Sequence, residues 1–325
     1  MKKTELENNI QLLWKELESC ACGVTRAIPD CDPVFMLKAD NGSISFLLRF
    51  SKKKNFRITK KEYVNISIEC IHLSEEYDAI DVTLNSHPFR STFTVIAADV
   101  VIKATKANNE DERLKMFLDR LYTWSNVFKR GANTLLSEDE QLGLYGELTF
   151  LKDLCESTNL SVDEIVNSWK GAIKEDKDFQ LKNRAVEIKS SSKQDKVVEI
   201  SNIRQLDESG LEALYLHHYE FARTVGGKNT LPDKVNEIRE IVKESPAYDV
   251  FEDLLISVAY FDKDASEYTK SYTLIEDYTY LVGANFPRIV ASMVPGITEV
   301  KYKVNLGNCG SFMIKTLDMF EALTR

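Results

Sequence analysis

The residue types best suited to chemistry gather in one stretch of this 325-residue chain, "DFQLKNRAVEIKSSSK", Asp178 to Lys193. Two short runs of alternating apolar residues flank Lys182-Asn183, the pattern of a hairpin with a two-residue turn. With that turn, partners across the hairpin have numbers summing to 365, which sets Asp178 opposite Glu187. Directly opposed side chains on one face lie about 4.5–5.5 Å apart at Cβ. Period-2 alternation adds Lys189 to that face and turns Val186 and Ile188 to the other. Two facing carboxylates repel, and a hard divalent ion such as Mg²⁺, which takes oxygen ligands, relieves the repulsion. A lysine two residues on is placed to orient or help deprotonate an attacking water and to offset charge on a phosphate.

The tripeptide E-x-K alone means little, because the chain has three: Glu175-Asp176-Lys177, Glu187-Ile188-Lys189 and Glu299-Val300-Lys301. Only the second has an acid opposite. For Glu299, a turn at Pro295-Gly296 would bring Ser292 across, and Glu175 sits in a polar loop. A further carboxylate, Glu147, lies in "GLYGELTFL" between Leu144, Leu148, Phe150 and Leu151, beside Gly143 and Gly146. Glycines cost a helix stability, so a helix this apolar that keeps two of them reads as tightly packed and delivering a carboxylate inward.

Together "GLYGELTFLKDL", "WKG" at Trp169, "KDFQL", "VEIKSS" and "ISNIRQL" resemble the PD-(D/E)XK nuclease superfamily, with its restriction-endonuclease-like fold. There a helix supplies a glutamate, an aspartate follows, and E-x-K lies on the central strand. More closely, the chain is similar to a small prokaryotic family of PD-(D/E)XK motif proteins, often encoded beside restriction-modification or phage-defence genes. The likeness covers most of residues 137–310 and reaches "ANFPRIVASMVPGITEVKYKVNL". It implies that Glu147, Asp178 and Glu187 bind metal, that Lys189 is the catalytic lysine, and that Gln205 positions water or phosphate. Lys177 stands where the motif has its proline. The implied activity is a Mg²⁺-dependent DNA endonuclease, with Mn²⁺ able to substitute, working as a homodimer or with other subunits of a defence system. A non-catalytic scaffold that keeps the nuclease fold, and a nuclease acting on RNA, are the alternatives.

The elements that must position these residues follow from pattern. Residues 4–20 read as a helix, and the signals from Val34 to about Lys103 are mostly β, with a hairpin at Asn41-Gly42. "DERLKMFLDRLYTWSNVFKR" reads as an amphipathic connecting helix. Ser137 and Glu140 form a capping box that starts the helix bearing Glu147. A short helix over 161–169, the hairpin, the strands "KVVEIS" and "LEALYLHHYEF", and a helix from "TLPDKVNEIREIVKES" with Pro232 in its first turn complete the middle. The expected fold is α/β, an α+β mixed sheet. It divides into a β-rich region (1–110), a nuclease core with connecting helix (111–225) and a C-terminal α/β region (226–325). The two flanking regions are expected to serve docking or DNA recognition.

Composition sets outer bounds. The formal net charge of −9 argues against bulk nucleic-acid binding. Residues 170–196 nevertheless carry eight Lys/Arg against five Asp/Glu, so an acidic protein keeps a basic local segment. No apolar run approaches the roughly 20 residues that span a bilayer, and the first residues lack a signal core. A cytoplasmic protein without membrane attachment is expected. The six cysteines read as reduced thiols, since "CAC" lacks zinc-knuckle spacing. His217 and His218 are neighbours on a strand and face opposite sides. Gly226-Gly227 lacks phosphate-loop spacing and reads as a joint.

Overall fold

The computed structural model describes residues 3–129, 135–192, 196–297 and 299–325. Contacts divide the chain into two compact units, Met1–Thr134 and Leu135–Arg325. The connecting helix expected with the core belongs to the first, and the chain beyond residue 225 completes the second.

The first unit opens with α1 (Lys3–Ser19). Six strands then form one antiparallel sheet in the order β1-β2-β3-β6-β5-β4: β1 (Thr25–Ala27), β2 (Val34–Lys38), β3 (Ile44–Ser51), β4 (Lys61–Glu62), β5 (Ile66–His72) and β6 (Tyr77–Leu84). The β2–β3 turn uses Gly42 at φ +82°, as Asn41-Gly42 led one to expect. The β reading fails beyond Leu84. "RSTFTVIAADVVIKAT" is a helix, α2 (Arg90–Thr105), followed by α3 (Glu110–Thr123) and α4 (Ser125–Phe128). Its β-branched residues favour strand locally, but α2 is buried on most sides, so no one-sided stripe marks it as helical. Asp99 within it is paired to the Arg120 guanidinium and accepts from Trp124 Nε1 at 2.8 Å.

The second unit starts with α5 (Glu138–Ser157), capped by the Ser137–Glu140 box, and α6 (Val162–Ser168), capped likewise by Ser161 and Glu164. The strands β7 (Phe179–Leu181), β8 (Arg184–Ser191), β9 (Val197–Ile200) and β10 (Ala213–Val225) come next. They are followed by α7 (Leu231–Val242), α8 (Ala247–Ser257), β11 (Lys270–Val282), β12 (Tyr302–Asn305), β13 (Met313–Ile314) and α9 (Thr316–Thr324). The sheet order is β13-β11-β10-β8-β7, with β8 and β10 parallel and the other pairs antiparallel.

This is the mixed sheet expected, with one correction. β9 does not join it but pairs with β12, and Lys301 reaches Glu199 at 2.8 Å. Pairing with a strand a hundred residues away is invisible to local pattern. One apolar core packs α5 through Leu148, Phe150 and Leu151 onto Val186 and Ile188 of β8. The opposite face holds a smaller core of Ala185, Leu214, Leu216 and Tyr280 beneath Val198 and Val304. Among the described residues no helix is long and apolar enough to cross a membrane.

Candidate active site

The β7–β8 hairpin has the register that the turn arithmetic required: Phe179 pairs with Val186, Gln180 with Ala185 and Leu181 with Arg184. Lys182 turns the chain at φ +52°. Asp178, one step beyond β7, accepts from the backbone N–H of Ile188 at 2.7 Å through Oδ2. Glu187 is 1% exposed, and its Oε1 receives Lys189 Nζ at 2.7 Å. The three groups therefore meet as expected. Glu187 Oε2 is buried with no hydrogen-bond partner among the described residues.

Glu147 reaches the same place from α5 because that helix lies unusually close to β8. A Cβ built on Gly146 would sit 1.9 Å from Ser190 Oγ and 3.2 Å from its Cβ, so any larger residue there would have to push the Ser190 side chain aside. Gly143 has open space at the Cβ position and lines the cleft instead.

The segment "WKG" enters the sequence only as part of the resemblance, and the structure gives it a role. Trp169 Nε1 donates to Glu147 Oε2 at 2.6 Å, and the backbone N–H groups of Lys170 and Gly171 both donate to the Asp178 carbonyl, at 2.7 and 2.9 Å. A Cβ on Gly171 would fall 2.6 Å from Asp178 Oδ1 and 3.2 Å from Glu147 Oε2. These two carboxylates therefore converge on one spot above a glycine.

Gln205 also lines this cleft of about 460 Å³, with Lys189, Glu199 and Lys303. Its Oε1 accepts from Ser201 N and Oγ, at 2.8 and 3.1 Å. Its amide nitrogen makes no bond among the described residues. The loop carrying it is tied down twice. The buried Lys177 ammonium donates to the Arg204 carbonyl, and Arg288 holds both the Leu206 carbonyl, at 2.6 Å, and the Glu208 carboxylate. Lys177 thus replaces the motif's proline with an anchor, which hydrophobic pattern could not reveal.

The charge balance is strained. Burial, then the neighbouring Asp178, pushes Glu187 up to about 8. Burial also raises Asp178 and Glu147, the latter further through Asp178. Burial alone would lower Lys189, but Glu187, Asp178 and Glu147 outweigh it and hold the ammonium protonated. With three carboxylates facing one lysine, burial and mutual repulsion push all three toward their neutral forms.

The donor set suits a hard divalent cation, being all oxygen, poorly solvated and with one orphaned lone-pair group on Glu187. As the side chains stand, no three Asp, Glu, His or Cys residues among those described enclose an ion, and Lys189 holds Glu187 Oε1 at 2.7 Å.

Other sequence candidates fall away from the cleft's chemistry. His217 bonds Thr279 Oγ1 at 2.7 Å, and burial keeps it neutral, down to about 3. His218 bonds Ser191 Oγ at 3.0 Å. Ser192 accepts from Arg223 at 3.1 Å. Gly226 and Gly227, both at positive φ, turn β10 toward α7.

No curated protein and no solved structure matches this chain. A family model does, over residues 10–307, and its description reads "Putative PD-(D/E)XK family member, (DUF4420)". The match takes in both units and every residue of the cleft, and the chain belongs to that PD-(D/E)XK family.

Proposed function

We propose that the chain is a metal-dependent nuclease that hydrolyses DNA phosphodiester bonds, serving as an endonuclease subunit in a restriction or antiphage system. The observation that carries this reading is the convergence of Glu147, Asp178 and Glu187 on the Lys189 ammonium in one cleft, with Glu187 Oε2 unpartnered among the described residues. A divalent cation, Mg²⁺ with Mn²⁺ as substitute, would be held by Asp178, Glu187 and Glu147, and would supply charge against the phosphate and a water of lowered pKa. Lys189 then redirects its donors from Glu187 to the attacking water, holding it in line with the leaving 3′ oxygen. The free amide nitrogen of Gln205 donates to a phosphate oxygen. An acidic chain has weak DNA affinity of its own, so a second copy or partner subunits supply target recognition.

The experiment pairs calorimetric titration of Mg²⁺ and Mn²⁺ with a plasmid-nicking assay, on the wild type and on Asp178→Ala. Binding and nicking by the wild type, both lost in the variant, are expected. A scaffold that keeps the fold without catalysis is the second reading, favoured by the lack of any enclosing set of three metal-ligating side chains among the described residues. That reading wins if neither protein binds metal and no partner combination restores cleavage. Cleavage of RNA in preference to DNA under the same conditions would redirect the substrate assignment.

A further inference from the structure

Glu147 comes to the cleft from a helix, and it is held differently from the other two carboxylates. Asp178 accepts from the Ile188 N–H and Glu187 from the Lys189 ammonium, both donors on β8. Glu147 has a long side chain whose one hydrogen-bond donor among the described residues is Trp169 Nε1, at 2.6 Å from Oε2. Its Oε1 accepts no hydrogen bond among the described residues, and Glu147 lines the cleft. One oxygen is tethered and the other is left available. The tether is itself rigid. The Trp169 side chain is almost fully buried, and its ring lies 6.1 Å from that of Phe251 on α8. The Trp169 backbone N–H donates to the Val166 carbonyl of α6, and the residue bridges to Phe179 at the start of β7. A donor fixed in this way orients a carboxylate with little further loss of its own side-chain freedom.

A buried indole N–H itself calls for a partner, which is the alternative account of this contact. The two other tryptophans of the chain argue against it. Trp14 Nε1 is buried with no hydrogen-bond partner among the described residues, so this fold tolerates an unpaired indole. Trp124 Nε1 also meets a carboxylate, that of Asp99, at 2.8 Å. Asp99 is already bonded to the buried Arg120 guanidinium, which closes that network as a structural one. Glu147 has no such bonded cation among the described residues, and its second oxygen stays uncommitted beside the cleft.

We propose that Trp169 is a positioning residue for Glu147, its indole N–H holding Oε2 so that Oε1 is presented to a cation in the cleft. The inference rests on the metal-dependent function proposed above. Carboxylates that bind metal are themselves held by outer hydrogen bonds, and loss of such a partner typically costs about 10–100-fold in metal affinity.

The test is calorimetric titration of the intact chain with Mn²⁺, which needs no substrate. Trp169→Phe removes the donor together with part of the ring. A second variant carries the benzothiophene analogue of tryptophan at position 169, which keeps the bicyclic shape and puts sulfur in place of the N–H. Both should bind Mn²⁺ about tenfold or more weakly than the wild type, while circular dichroism finds them folded. Should Trp169→Phe not fold, the analogue carries the test alone. Wild-type affinity in the analogue would make packing the cause and overturn this inference, leaving the nuclease reading intact. No Mn²⁺ binding by the wild type would overturn both together.

Discussion

Glu187 and Lys189 show how a buried contact can sit close to the balance between two protonation states. The pair is buried and bonded at 2.7 Å, yet Glu187 is pushed up to about 8 by burial and by Asp178. An unfolded glutamate titrates near ~4.3, so between these values the folded chain keeps a proton that the unfolded chain has lost. Stability must then fall as pH rises through that window. Glu187→Gln cannot titrate, and its melting temperature relative to wild type should climb by several degrees from pH 4.5 to pH 8, at ~2–4 °C per kcal/mol. Thermal melts followed by circular dichroism at these two pH values read the slope, and a difference constant with pH would rule the titration out. Lys189→Ala tests the other half of the pair. Under the proposed function it should cut nicking by about 10²–10³-fold while calorimetry still finds metal binding; retained cleavage would remove the lysine from the mechanism.

At the scale of elements, the site exists because α5 approaches β8 through Gly146 and because the segment Trp169 to Gly171 clamps Asp178 from outside the sheet. Gly146→Ala should destabilise the chain by about 1–3 kcal/mol through overpacking against Ser190. Ser190 Oγ has no partner among the described residues, so Ser190→Ala alone should be nearly neutral, and the double variant should recover much of the loss. Chemical denaturation of the three variants measures this, and additive losses would show that the contact is not the cause.

Much of this site was legible in the sequence. A two-residue turn and strict alternation fix the register of a hairpin, so Asp178, Glu187 and Lys189 could be placed without coordinates. The capping box likewise marked where α5 begins. What lay hidden was of two kinds. α2 carries apolar residues around most of its circumference and so shows no helical period, and β9 leaves the main sheet for a partner distant in sequence. The roles of Trp169, Gly171 and Lys177 are side-chain and backbone contacts across loops, which no periodicity encodes.

For the molecule as a whole, the question is how a chain of net charge −9 would hold a polyanion. Asp139, Glu147, Asp178, Glu187 and Glu199 all line the candidate cleft, so the cleft is acidic too. Its two lysines are not equivalent. Lys189 is committed to Glu187, whereas Lys303, exposed on β12, makes no ion pair among the described residues. Lys301, two residues earlier on the same segment, is held by Glu199 at 2.8 Å. If DNA phosphates enter this cleft, Lys303 is the side chain free to meet one, and each such contact releases counterions and steepens the salt dependence of binding. Lys303→Glu should weaken a short duplex by about tenfold and flatten the slope of log K against log salt by about one, measured by fluorescence anisotropy in chelator so that no cleavage intervenes. Lys301→Glu, whose charge is already paired, should shift both far less. An equal effect of the two substitutions would mean that only overall charge matters, and that DNA does not lie along β12.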